Sequence, residues 1–386
     1  MQDSPPEHTS EPVPGAPEPV AQAPAGGPPG LDLERLRAHL ERTLPGTVAG
    51  PLRAELIEGG RSNLSYRLTD GVTDWVLRRP PLGHVLATAH DMGREYRVMT
   101  ALRDTGVPVP GTVHHDPGAE VLGAPWYLMA YVPGTVHRDA EALAALGEDR
   151  VRAIGEALVD TLAALHRVDP TAVGLADFGR PDGYLDRQLR RWAVQLDASR
   201  SRELPGIDRL HELLVARRPA SPAPALVHGD YRLDNVLVRE RYGRDERDGR
   251  DERDGHDERD GQGGRDVVAA VLDWEMSTLG DPLTDVGLLV MYTELAGVGG
   301  GLIPSAATAA GFPSSAELVD RYARSTGRDA ADLDWYVAFA SYKLAVVAEG
   351  IHYRFRQGRT LGSGFERAGT MAPVLIEHGL TTLKGH

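Results

Sequence analysis

The apolar pattern of this chain changes character once, near residue 134, and that change most constrains the fold. Upstream, "AELIEGGRSNLSYRL" reads as strand, glycine turn, strand, and "DWVLRRPP" as a strand stopped by Pro80 and Pro81. "LDLERLRAHLERTL" repeats leucine near helical spacing, and "HDMGREYRVMTALRDTG" reads as a helix running to Gly106. "APWYLMAYVPGTV" is a strand entering a Pro-Gly turn. Downstream, "ALGEDRVRAIGEALVDTLAALHRV" sets apolar residues at i, i+3, i+4 and i+7, the period of a helix with one buried face. Two more strand-like runs follow, "ALVHGDYRLDNVLV" and "VVAAVLDWE", and the rest is largely helical. The expectation is a bilobal α+β chain. A small β-rich lobe covers residues 31–133, a larger helical lobe covers 134–386, and the hinge lies near 129–134.

Two segments stand outside that pattern. Residues 1–30 are rich in Pro, Ala, Gly and Glu and hold too few apolar groups to build a core. "RDERDG" at 244–249 recurs at 250–255 and as "HDERDG" at 256–261. Nothing in this repeat can offset ordering entropy, so 243–264 is expected to be a solvated extension of a hairpin. The tail carries four acids and no Lys or Arg, and residues 243–265 carry nine acids and six Arg, so together they hold half of the formal charge of -14. The folded part is thus mildly acidic, which argues against nucleic acid as a partner.

Other classes fall away on composition. There is no Cys, which removes disulfides and thiolate chemistry. No run of 18 apolar residues appears, and the acidic, Pro-rich start lacks the basic and apolar regions of a signal peptide. A cytoplasmic protein with no membrane partner is the expectation. Lys occurs only at 343 and 384, so any cationic role before residue 343 must fall to Arg or His.

The chemistry concentrates in "LVHGDYRLDNVLV". His228 stands two residues before Asp230, and Asn235 follows five after it. Asp273 closes the next apolar run, "VLDWE", where a hairpin would bring it beside Asn235. Phosphoryl transfer asks for such a set: one carboxylate to orient the attacking hydroxyl, and an amide oxygen with a second carboxylate to hold Mg2+ on nucleotide phosphates. Asp285, in "GDPLTDVG", is placed to brace the loop. Taken alone, "HGD" is equally a turn before a strand.

With Asp273 and Asp285 in order behind it, the set resembles the aminoglycoside phosphotransferase superfamily, which shares the protein-kinase-like fold. Within it, the chain is most similar to the kinase-like domain found fused to certain acyl-CoA dehydrogenases. The likeness covers roughly residues 31–380 and includes "EGGRSNLSYRL", "VLRRPP", "EYRVMTAL", "YLMAYVPGTVHRD" and "YKLAVVAEGIHYR". It implies that Asp230 is the catalytic base or hydroxyl-orienting acid, that Asn235 and Asp273 bind Mg2+ with Glu275 assisting through water, and that Asp285 holds the loop. His228 is expected to order the loop by hydrogen bonding.

The same resemblance assigns the nucleotide end. "GGRSN" would cover the phosphates, with Gly59 and Gly60 admitting close backbone approach and Ser62 and Asn63 donating to phosphate oxygens. A kinase-like third strand needs a cation paired with a helix Glu, and here it must be Arg. Strand alternation puts Val76 and Arg78 on one face, Val76 over the base and Arg78 on the phosphates with Glu95 as partner; Arg79 points away, toward the surface. Main-chain groups from Met129 to Tyr131 would meet the base, which leaves both ATP and GTP open.

For the acceptor, residues 316–386 sum to +1 in a chain of -14, and "YKLAVVAEGIHYRFR" is apolar and basic along one helix. That favours a hydroxy acid or hydroxyacyl-CoA over a polyamine. Lys343 and Arg354, eleven residues apart, share a helix face and are the candidate acceptor-binding residues. The alternatives are an aminoglycoside- or macrolide-type antibiotic kinase, or a nucleotide-binding module without catalysis.

Overall fold

The computed structural model describes residues 27–57, 63–82, 91–241, 265–299, 303–358 and 367–384. The expected tail before residue 27, the 243–264 extension and the loop residues Gly59, Gly60 and Ser62 lie outside these described residues.

The first lobe opens with α1 (Leu33–Thr43), capped by Asp32, whose side chain accepts from the N–H of Arg35 at 3.0 Å. Strands β1 (Arg53–Leu56), β2 (Leu64–Thr69) and β3 (Asp74–Arg79) lead to α2 (Met92–Leu102), then β4 (Thr112–Asp116) and β5 (Trp126–Ala130). The five strands make one antiparallel sheet in the order β1-β2-β3-β5-β4. α2 ends at Leu102, before the expected Gly106. β4, "TVHHD", was not legible as a strand because it lacks apolar alternation.

Alternation along the strands splits this sheet between two cores. Tyr66, Leu68, Trp75, Leu77, Trp126 and Leu128 pack on one face against Leu36 and Leu40 of α1. Burying each of those leucines contributes roughly 1.5–3 kcal/mol, enough to hold the short α1 on the sheet. Val76, Tyr127 and Met129 point to the other face, where they join Met92, Val98, Met99 and Leu102 of α2 and the core of the second lobe. Arg79 lies on the α1 side. It is buried, not at the surface as expected, because its guanidinium donates to the carbonyls of Gly30 and Leu122, and that segment covers it.

The second lobe is helical: α3 (Ala140–Ala144), α4 (Glu148–Arg167), α5 (Tyr184–Ser199) and α6 (Ile207–Ala216) precede two short strand pairings, and α7 (Leu283–Glu294), α8 (Ser315–Thr326), α9 (Leu333–Arg356) and α10 (Ala368–Thr382) complete it. β6 (Ala225–Val227) pairs with β9 (Thr278–Gly280), and β7 (Val236–Arg241) with β8 (Arg265–Val271). α7 is apolar almost all round and is buried from Leu283 to Met291 between its neighbours. The chain segment between the lobes is pinned to β7, since Thr135 and Val238 exchange both backbone hydrogen bonds, at 2.8 and 2.9 Å. No helix among the described residues is long and apolar enough to cross a membrane.

Candidate active site

The loop between β6 and β7, residues 228–235, is built from below by Asp285 at the start of α7. The N–H of His228 donates to Asp285 Oδ2 at 2.7 Å and the N–H of Gly229 to Oδ1 at 2.8 Å. His166 Nε2 of α4 approaches the same Oδ2 at 3.3 Å, and His166 Nδ1 meets the Tyr322 hydroxyl at 2.7 Å. Burial works to raise the Asp285 carboxyl, but the hydrogen bond and charge of His166 and the N–H of His228 hold it below the usual carboxylate range. His228 fixes its own tautomer. Nε2 donates to the Leu272 carbonyl at 2.9 Å, and Nδ1 accepts from the N–H of Asp230 at 3.2 Å. Gly229 is required here: its φ is +87°, and a Cβ would sit 2.8 Å from Met276.

This bracing aims Asp230 outward. Asn235 Nδ2 donates to the Asp230 carbonyl at 2.8 Å and to its Oδ2 at 3.0 Å. The five-residue interval therefore closes one turn in which the Asn amide nitrogen is used internally, leaving the amide oxygen as an acceptor. The β7–β8 ladder sets Asp273 beside it, because the N–H of Leu272 donates to the Asn235 carbonyl at 2.8 Å. Asp273 itself adopts φ +64°, ψ +60°, the only positive φ at a non-glycine among the described residues. That conformation costs on the order of 1–3 kcal/mol and clusters at functional sites; here it turns the carboxylate from the strand end toward the first lobe.

The first lobe meets it with a cation. Arg78 Nη2 lies 3.1 Å from Asp273 Oδ1, and Nη1 lies 3.4 Å from Glu95 Oε2. Glu95, on α2, is fully buried; burial pushes its carboxyl up and the guanidinium opposes that. The Tyr127 hydroxyl donates to Glu95 Oε2 at 2.8 Å. Asn63 Nδ2 donates to Glu95 Oε1 at 3.1 Å and to Glu275 Oε2 at 3.2 Å, so Asn63 turns inward to two carboxylates rather than toward a phosphate. Val76 and Met129 are direct partners across β3 and β5 on the cleft-side face. In the expected base-binding stretch the N–H groups of Ala130 and Tyr131 donate to the carbonyls of Gly111 and Asp74, at 2.7 and 3.2 Å.

On the other side of Asp230 stand Tyr292 and Arg232, which the sequence reading passed over, and Lys343, which it named. Tyr292 of α7 places its hydroxyl 3.5 Å from Asp230 Oδ1, and the Arg232 guanidinium covers the Tyr292 ring at 4.9 Å. Arg232 Nε lies 3.2 Å from Asp234 Oδ1 and 3.5 Å from Asp230 Oδ2. Lys343 of α9 donates Nζ to the Gly229 carbonyl at 2.6 Å and sits 5.6 Å from the centre of the Trp192 ring. Burial lowers its pKa, with Asp230 and Asp285 opposing. Arg354 shares the face of α9 but is exposed, three turns farther along. The structure thus brings Asn63, Arg78, Glu95, His228, Asp230, Asn235, Asp273, Glu275, Asp285 and Lys343 into one connected cluster and leaves Arg354 outside it. Strand alternation in "YLMAY" places Tyr127 on the same face as Met129, so a signal for Tyr127 was present.

A Mg2+ nucleotide fits these residues. Arg78 Nε is a buried donor without a hydrogen-bond partner among the described residues, a state that is costly unless a ligand such as a phosphate oxygen accepts from it. No cluster of three or more His, Asp or Glu spaced to hold a metal occurs among the described residues. Two protein oxygens from Asn235 and Asp273, with phosphates and water for the rest, match how Mg2+ is held in nucleotide sites.

This pairing of a five-stranded antiparallel lobe with a helical lobe that carries Asp230, Asn235 and Asp273 is the architecture of a kinase-like small-molecule phosphotransferase. The sequence model of the phosphotransferase enzyme family matches residues 53–246, and the chain belongs to that family. A solved structure from Ralstonia eutropha, provisionally described as an aminoglycoside phosphotransferase, is 32% identical, covers 92% of this chain and 98% of its own, and superposes with a TM-score of 0.73. Acyl-CoA dehydrogenase family member 11 of Rattus norvegicus is 32% identical over 361 residues, 91% of this chain and 43% of that protein. The chain spans less than half the length of the curated relatives it matches. Aminoglycoside phosphotransferase APH(4)-Ia, solved with AMP-PNP and hygromycin B, covers 89% of this chain and 98% of its own at a TM-score of 0.55 and 14% identity, a likeness of fold alone.

Proposed function

We propose that the chain transfers the γ-phosphoryl group of ATP, or of GTP, to a hydroxyl of a small molecule. The observation that carries this reading is the convergence of Asp230, Asn235 and Asp273 on one cleft opposite Arg78, on a loop whose amides are held by Asp285. Asp230 orients the acceptor hydroxyl and takes its proton as the new O–P bond forms and the bond to the β–γ bridging oxygen breaks. Asn235 holds the Asp230 carboxylate in place from behind. Mg2+, held by Asn235 and Asp273 with Glu275 nearby, would neutralise the nucleotide phosphates. Arg78, with its unpartnered Nε, supplies the fixed cation of the first lobe.

The acceptor is proposed to be an anionic hydroxy compound, a hydroxy acid or hydroxyacyl-CoA. Lys343 and Arg232 beside Asp230 support it, because cations there repel a polyamine. The similarity to acyl-CoA dehydrogenase family members, which name an acyl-CoA substrate for those proteins, points the same way. The antibiotic-kinase reading draws on the neighbour solved with hygromycin B. A panel of hydroxyacyl-CoAs, hydroxy acids, choline-like amino alcohols, macrolides and aminoglycosides, run with labelled ATP, separates them. Anionic acceptors are expected to take label, and preference for the cationic members would restore the antibiotic kinase. Asp230→Ala is expected to abolish transfer with nucleotide affinity near wild type; retained turnover would exclude Asp230 as the base. No transfer and no hydrolysis with any acceptor would favour a binding module.

A further inference from the structure

Glu95 is held by more than its arginine. It is wholly buried, and its contact with Arg78 is long for a charge-assisted hydrogen bond, 3.4 Å from Nη1. Two neutral donors complete it: Tyr127 on Oε2 at 2.8 Å and Asn63 on Oε1 at 3.1 Å. Tyr127 and Arg78 are direct partners in the β3–β5 ladder, so the hydroxyl and the guanidinium reach the same carboxylate oxygen from adjacent strands. Packing alone would be served by Phe. A buried hydroxyl is costly unless it finds a partner, and this one finds the helix carboxylate that meets Arg78.

We propose that Tyr127 is a positioning residue of the nucleotide site: by donating to Glu95 it keeps that carboxylate ionised and in place, and so sets the direction of the Arg78 guanidinium. Tyr127 touches no reacting atom in this scheme and acts through Glu95. The other groups facing Glu95 are Arg78 from β3, Asp273 and Glu275 from the turn after β8, Asp91 at the cap of α2, and Asn63 before β2. Three of these are acids, so a Glu95 deprived of its hydroxyl donor takes up a proton more readily as pH falls. Burial keeps the Tyr127 hydroxyl protonated, well above its ordinary range, so it donates at every working pH.

The inference rests on the nucleotide site proposed above, and its test reads binding rather than turnover. Calorimetric Kd for ATP with Mg2+ is measured from pH 5.5 to 8.5 for wild type, Tyr127→Phe, Glu95→Gln and the double variant, with thermal midpoints alongside. Tyr127→Phe is expected to weaken binding about tenfold at pH 7, equivalent to ~1.4 kcal/mol, and to add an acid limb that wild type lacks. In the Glu95→Gln background the same change is expected to have little further effect, the signature of two residues acting as one unit. Asn63→Ser, which removes the donor on the other oxygen, is expected to move the acid limb the same way and covers the case in which Tyr127→Phe folds poorly. A lowered midpoint with Kd and pH profile unchanged, or full additivity with Glu95→Gln, overturns the inference alone. Wild-type protein that binds no nucleotide overturns it together with the proposed function.

Discussion

Arg78 Nη2 stands 3.1 Å from Asp273 Oδ1, joining strand β3 of the first lobe to the end of β8, 195 residues later. The same guanidinium reaches back to Glu95 through Nη1. One side chain therefore spans the helix carboxylate and the expected metal carboxylate at once. A lysine ammonium is a point charge and has no fork with which to do this. Arg94, one residue before Glu95, reinforces the junction by donating Nε to the Ser277 carbonyl at 3.1 Å while stacking on Phe178 at 3.9 Å.

Arg78→Lys is accordingly expected to raise the nucleotide KM about tenfold, ~1.4 kcal/mol, with the fold intact. Arg78→Ala leaves Glu95 buried without its cation and is expected to destabilise the protein by about 3 kcal/mol. Adding Glu95→Gln to Arg78→Ala should restore part of that loss in urea unfolding. If the double variant is no more stable than Arg78→Ala, the buried charge is not what the arginine offsets.

Asp285→Asn should separate positioning from binding. Asp285 touches the loop amides but not Arg78, Glu95 or Asp273. Turnover is expected to fall about a hundredfold, the scale of a small misplacement of reacting groups, with nucleotide Kd within about twofold. Because the folded carboxyl is held below its unfolded value of about 3.9, its contribution to stability is complete above that pH and is lost only as pH falls through the lower folded value. The stability difference between variant and wild type is therefore expected to be flat from pH 5 to 8. A difference that varies across that range would mean that the carboxyl, or the His166 in contact with it, titrates there.

The lobes were legible in the sequence because the period of the apolar residues changes from two to 3.6, and burial enforces each period. Asp230, Asn235 and Asp273 were legible because chemistry fixes their spacing along a loop and a hairpin. Arg78 followed from strand alternation in a region without lysine. Alternation gives the side of a sheet and not what covers it, which is why Arg79 was read as surface when Gly30 and Leu122 enclose it. The inward turn of Asn63 depends on α2 and the 273–276 turn arriving together, a tertiary fact with no local signature. Lys343 and Arg354 share a face by helical arithmetic, but arithmetic along one helix does not say where the catalytic loop crosses it.

The acidic repeat should be removable. β7 and β8 pair in register out to Arg241 and Arg265, and β7 is also tied to Thr135. Asp266 on β8 accepts a two-point ion pair from Arg150 of α4, at 2.8 Å to each oxygen. These contacts hold the hairpin without help from its end. Replacing residues 243–264 by Asn-Gly, which with residue 242 makes a three-residue hairpin loop ending in Gly between the paired Arg241 and Arg265, is expected to change stability by less than about 1 kcal/mol, because loop-closure entropy depends weakly on length. A thermal midpoint lowered by more than about 4 °C, beyond what 1 kcal/mol produces in a chain of this size, would mean that the repeat packs on the body.

Lys343 is where acceptor charge can be read. Its ammonium lies on the Gly229 carbonyl, one residue before Asp230, and not beside Arg354, which stands about 16 Å farther along the helix axis at ~1.5 Å per residue. A small anion cannot bridge the two, so of this pair only Lys343 can meet a small acceptor near the base. Burial lowers the pKa of Lys343, so its charge is lost as pH rises at a value below the ordinary lysine range. For an anionic acceptor, KM is then expected to rise on that alkaline limb while nucleotide KM stays level. Lys343→Met should give a KM raised about tenfold, ~1.4 kcal/mol, already at neutral pH, and should flatten the limb. If Lys343→Met instead lowers kcat with acceptor KM unchanged, the lysine serves as a brace for the loop through Gly229, and the anion is held elsewhere.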